Sequence, residues 1–139
     1  MSNVPVSVGD ERDDGSLMAV KILDPGPIPH AEIERFDDPD IEAALKHEGC
    51  DPDRVTYRLV EIALDELYDT RWFPGPRPWD TSMVDALTGG ASLPPVIVIA
   101  GREGGYGLID GLNRTYAHWV LRRSTIRAYE LLNVERGWS

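Results

Sequence analysis

Cysteine is nearly missing from this chain. Cys50 is the single one, so an internal disulfide is excluded, and no cysteine or histidine cluster has the spacing of a metal site. Apolar runs are short as well; none approaches the roughly 20 residues that a membrane-spanning helix needs. The N-terminus lacks the basic flank and apolar stretch of a secretory signal, and a cytoplasmic protein is expected. Lysine stops at Lys46, and all ten cations from residue 54 onward are arginine. Arginine alone suits planar recognition of phosphate, and a compositional bias of the source genome accounts for it equally well.

What is present is unevenly placed. Residues 1–53 hold fourteen Asp and Glu against four Lys and Arg, whereas 54–139 hold ten of each, so the whole net charge of −10 lies in the first part. Such an acidic surface speaks against general nucleic-acid binding, in which cations replace the counterions of the phosphates. The length of 139 residues and 42% hydrophobic content are those of one globular domain with a real core.

Residues 1–16 contain few large apolar side chains and the cluster Asp10-Glu11-Arg12-Asp13-Asp14, the composition of a disordered acidic tail. Residues 17–53 form an extension. In it Leu17 to Leu23 is available as an edge strand, and Asp24-Pro25-Gly26-Pro27-Ile28-Pro29 reads as a linker that cannot be helical. Asp38-Pro39-Asp40 carries the marks of a helix start: a capping Asp, Pro at the first position, acids in the first turn. Ile41, Ala44 and Leu45 make the apolar stripe, and Gly49 ends the helix. Val55 to Ala63 alternates as a strand, and Leu64 to Tyr68 leaves it as a helical turn or a strand exit. Arg71-Trp72-Phe73-Pro74-Gly75-Pro76-Arg77-Pro78-Trp79 is a stiff aromatic loop. It either stacks a base and reaches phosphate through Arg71 or Arg77, or plugs the apolar end of a sheet. Asp80-Thr81-Ser82 then caps a helix running to Thr88 and ended by Gly89-Gly90.

The chain is organised around Leu93 to Leu132. Val96 to Ala100 is a short β-branched run, Gly101 to Gly105 a hairpin turn, and Tyr106 to Asp110 the returning strand. Gly111 breaks that strand where a helix begins. Leu112, Tyr116, Ala117, Val120 and Leu121 then follow at the three- and four-residue steps of one helix face over 112–122, and Thr125 to Leu132 closes as a strand. A helix start leaves unpaired N–H groups and partial positive charge. With Arg114 three residues after Gly111, this makes either an anion site suited to phosphate or simply a tight turn beside a solvated arginine.

The order of Pro94-Pro95, Val96-Ile97-Val98, Tyr106-Gly107-Leu108-Ile109-Asp110-Gly111-Leu112-Asn113-Arg114, Ala117 and Ile126-Arg127-Ala128-Tyr129 resembles the ParB/sulfiredoxin-like superfamily, from about Arg54 onward. Its members run Pro-Pro, strand, turn, strand, G-x-x-R, helix, strand. The resemblance implies an α+β fold, a small mixed sheet with packed helices over 54–139, preceded by the acidic N-terminal extension. It implies a nucleotide, ATP or CTP with Mg²⁺, in a cradle of Asp110, Gly111, Asn113 and Arg114, with Leu112 beside them; Arg71 and Arg77 of the aromatic loop are further candidate ligand contacts. It also implies that Glu61, Asp65 and Glu66 stand near that site, so Asp110 and Glu61 become the candidate catalytic carboxylates. Leu112, however, stands where sulfiredoxins have their reactive Cys, and Asn113 at the His or Arg position, so the sulfiredoxin reaction is excluded.

The expectation is therefore a ParB/sulfiredoxin-like domain standing alone, without the DNA-binding part of a true ParB. It would bind a nucleotide or other phosphorylated small molecule, with phosphoryl transfer or hydrolysis as the reaction if it is an enzyme. The alternative is a non-catalytic interaction or regulatory protein whose acidic N-terminal region engages a basic protein partner. In the nucleotide reading Arg114 is expected to face ligand and contribute little to folding; paired instead with Asp110, Glu61 or Asp65 it would be a structural bridge, which favours the interaction protein.

Overall fold

The computed structural model describes residues 20–35, 40–75, 79, 81–101 and 104–132. The acidic tail, the cap Asp38-Pro39, Arg77 and Asp80 lie outside the described residues. Five strands, β1 (Val20–Pro29), β2 (Thr56–Ala63), β3 (Val96–Ala100), β4 (Tyr106–Asp110) and β5 (Thr125–Leu131), form one sheet in the order β1-β2-β5-β3-β4. All neighbours are antiparallel except β3 and β5, which run parallel. That parallel pair requires a crossover, supplied by β4 and helix α3 (Leu112–Val120). With α1 (Asp40–His47) and α2 (Ser82–Thr88), the architecture is α+β.

Alternation along the strands sends side chains to two separate cores. Tyr57, Ile97, Ile99, Tyr129 and Leu131 pack with Ile41 and Leu45 of α1. Val60, Ile62, Val96, Val98, Ile126 and Ala128 pack with Leu64, Leu67 and, at the edge, Trp119 of α3. β3 is buried on both faces, which is why its sequence is a continuous apolar run rather than an alternating one. The acidic extension is thus built into the body: β1 pairs with β2, and α1 covers one face of the sheet.

The segment read as a linker, Asp24 to Pro29, is instead the second half of β1. Its prolines are tolerated because β1 is an edge strand, where missing N–H donors face outward. The register with β2 shifts between Ile22 and Asp24 and again between Asp24 and Ile28, so the extra residues bulge out. Gly26, at φ 68°, donates its N–H to Asp24 Oδ1 at 3.0 Å and closes that bulge.

The extension is fastened by one polar cluster. His30 Nδ1 lies 2.8 Å from the Tyr57 hydroxyl, and its Nε2 lies 2.6 Å from Glu42 Oε2. Arg35 donates to the same carboxylate at 2.5 and 3.2 Å. These bonds, first from Arg35 and then from His30, hold the Glu42 carboxyl down at about 2.

Leu64–Glu66 and Tyr68–Trp72 are 3₁₀ turns. Thr81 precedes α2 without a side-chain capping bond. Helix α3 ends two residues before the expected 122, because Arg122 adopts φ 58°. Arg123 N–H donates to His118 O and Arg122 N–H to Trp119 O, both at 3.0 Å. These are the two bonds of a Schellman turn, with arginine in the position usually given to glycine.

Candidate functional site at the start of helix α3

β4 and α3 meet at Gly111, whose φ of 111° and ψ of 31° belong to the left-handed region. A Cβ there would come within 2.5 Å of Val96 Cγ1 and 2.9 Å of Arg114 Nη2. Only glycine permits both that conformation and that approach. The Gly111 carbonyl then accepts from the Thr115 N–H at 2.8 Å and from its hydroxyl at 2.9 Å, which sets the first turn of α3.

The start of α3 opens on a cavity of about 470 Å³. Its walls come from five elements: Asp40 of α1, Asp69 of the second 3₁₀ turn, Met83 of α2, Leu108 to Asp110 of β4, and Gly111 to Arg114. Asp69 Oδ1 accepts from the Leu108 N–H at 3.4 Å, which ties that turn to β4.

The predicted cradle residues Asp110, Gly111, Leu112, Asn113 and Arg114 all line this one cavity. Arg114 has the surroundings of the structural bridge rather than those of a ligand-facing group. It is only 3% exposed; Nη2 donates to Asp110 Oδ2 at 2.5 Å, and Nη1 reaches the Pro94 carbonyl at 3.4 Å. The guanidinium thus lies back under the turn and clamps the end of β4 to Pro94, two residues before β3. The expectation that Arg114 contributes little to folding gives way to that burial. Asp110, its partner, is correspondingly engaged rather than held ready for a proton.

Glu61 lies elsewhere. Its Oε2 accepts from the Thr125 hydroxyl at 3.1 Å, and it lines a second cavity, of about 320 Å³, with His118, Arg123 and Arg127. The two candidate catalytic carboxylates therefore do not share a cavity. Arg71 is exposed, with its guanidinium 4.9 Å from the centre of the Tyr68 ring, and lines neither cavity. In the aromatic loop, Trp79 stacks on Tyr116 of α3 at 4.1 Å, and Phe73 meets Trp79, Tyr116 and Trp119 edge-on at 5.1–5.7 Å. Those two rings serve packing, while Trp72 stays 77% exposed.

No pattern in the sequence assigns Asp40 or Asp69 to this corner. Asp40 is recognisable only as a first-turn acid of its own helix, and Asp69 carries no signal of its own. With Asp110 they make the lining acidic, yet among the described residues no three His, Cys, Asp or Glu side chains form a group able to hold a metal ion. No protein-family model matches this chain, and no characterised protein matches its sequence.

Proposed function

We propose that this chain carries a ParB/sulfiredoxin-like domain that binds a nucleotide or another phosphorylated small molecule where β4 meets α3. The observation that carries this reading is left-handed Gly111, which delivers the start of α3 to the lip of a cavity walled by α1, α2 and β4. Helix-start N–H groups and the positive end of the helix dipole favour an anion there. The strand order around the motif and the paired prolines before β3 support the family resemblance.

The arrangement favours binding over chemistry. Asp110 is held by Arg114, Glu61 faces another cavity, and Leu112 can neither attack a phosphoryl group nor move a proton. Asp40 and Asp69 disfavour a bare phosphate. A nucleoside triphosphate such as ATP or CTP, arriving as its Mg²⁺ complex, brings the charge that offsets them, whereas these carboxylates do not make a site for a resident ion.

A calorimetric and thermal-shift panel of ATP, CTP, their diphosphates and inorganic phosphate, with and without Mg²⁺, tests the proposal. Ligand at 100 times its dissociation constant stabilises a fold by about 2.7 kcal/mol. Met83→Glu, which adds a carboxylate to the half-buried wall opposite the helix start, is expected to weaken that binding, and Met83→Arg to preserve or strengthen it. No stabilisation by any compound, with or without Mg²⁺, refutes the nucleotide reading and leaves the acidic interaction protein in its place.

A further inference from the structure

The second cavity, at the far end of α3, has the opposite electrostatic character. It is lined by His118 near the helix end, Arg123 in the turn, Ser124, Thr125 and Arg127 at the start of β5, and Glu61 of β2. Its volume of about 320 Å³ is enough for a small ligand. The Schellman turn at Arg122 brings these groups together: it reverses the chain, so that Arg123 and Arg127 follow closely on the helix that carries His118.

Two features of the lining call for a ligand. Among the described residues neither Arg123 nor Arg127 pairs with a carboxylate, although 24 of the chain's residues are Asp or Glu. Glu61, the one carboxylate in the cavity, takes a hydrogen bond from Thr125 instead. The second feature is His118, whose Nδ1 is buried without a hydrogen-bond partner among the described residues. The imidazole is itself part of the cavity wall, beside the two guanidiniums. Burial first, then the nearby charges of Arg123 and Arg127, hold the basicity of His118 below its ordinary value.

We propose that this cavity binds a small oxyanion, a phosphate or the phosphate group of a phosphorylated metabolite. Arg123 and Arg127 would supply the charge, and His118 and the Ser124 hydroxyl the hydrogen bonds. The proposal is independent of the site at Gly111, because the two cavities share no lining residue. Glu61 gives the lining its one carboxylate, which favours a ligand presenting a hydroxyl or amine beside its oxyanion.

The test is a titration of the full chain with inorganic phosphate, read by nuclear magnetic resonance at the His118 imidazole and the Ser124 and Thr125 amides, with chloride at equal ionic strength as control. Saturable shifts confined to these signals are expected with phosphate and absent with chloride. Arg123→Gln, at an exposed position, and Arg127→Gln are each expected to weaken binding roughly 10- to 100-fold, the loss of one charge-assisted bond. Met83→Glu at the other cavity is expected to leave it unchanged. Repeating the titration with glycerol 3-phosphate separates the sources: tighter binding than phosphate identifies a phosphorylated metabolite, and equal binding identifies the free ion. Shifts that never saturate, or that survive in Arg123→Gln and Arg127→Gln, overturn the proposal. The wild-type titration alone can overturn it should either variant not fold.

Discussion

Replacing Arg114 with alanine takes the guanidinium away from the Asp110 carboxylate, whose side chain is only 20% exposed, and opens the space that it fills beneath Gly111. Breaking a buried ion pair from one side costs about 3–5 kcal/mol. Because Asp110 keeps some contact with solvent, the lower end applies, about 3 kcal/mol. For a chain of this size each kcal/mol moves the melting midpoint by about 3–4 °C, so a drop of about 10 °C is expected. Against a typical total of about 5–15 kcal/mol, that is a large share of the stability. Urea unfolding followed by tryptophan fluorescence, together with thermal unfolding followed by circular dichroism, measures it. The double variant Asp110→Leu/Arg114→Met removes both charges and keeps much of the volume, so it is expected to be more stable than Arg114→Ala alone. A midpoint for Arg114→Ala within about 2 °C of wild type would refute the clamp and return Arg114 to the ligand-facing role that its sequence position suggests.

Arg122→Gly is expected to raise stability by about 0.5–1 kcal/mol, measured by urea unfolding, because glycine occupies the left-handed position after α3 without the steric cost that arginine bears at φ 58°. Glu42 has its carboxyl held at about 2 in the folded chain, below the ordinary 4.5, so its contribution is fully present above about pH 4.5 and is lost as pH falls through about 2. Glu42→Gln is therefore expected to be less stable than wild type at neutral pH, with the difference shrinking steadily below pH 4.5 in a urea–pH series. Cys50 is buried, and burial, aided by Glu48, pushes its thiol above the ordinary value of 9.0, so a disulfide-exchange reagent at neutral pH is expected to label it only after denaturant is added. Rapid labelling of the native chain would show that the cover formed by α1 opens.

Several parts of this molecule follow from short stretches of sequence. The β-branched run at Val96 to Ala100, the glycine turn after it, the break at Gly111 and the helical repeat from Leu112 each express a preference settled within a few residues, and the structure places an element at each. The α1 stripe of Ile41 and Leu45 and its stop at Gly49 are legible for the same reason. The gathering of Asp110 to Arg114 on one cavity also follows from the local turn.

Other features depend on contacts that no local pattern carries. Asp24 to Pro29 looks like a linker because prolines usually break strands, and only the position of β1 at the sheet edge makes them acceptable. Asp40, Asp69 and Met83 reach the Gly111 cavity from three separate segments, and Glu61 is carried away from it by the register of β2 against β5. Arg114 shows the division most plainly. Its spacing from Gly111 fixes where the side chain starts. Whether the guanidinium meets solvent, ligand or a buried carboxylate is decided by Pro94, twenty residues earlier, and by the sheet that packs β3 beneath the turn. Periodicity and turn chemistry act between neighbours in sequence, whereas burial of a charge is set by everything that surrounds it once the chain has closed.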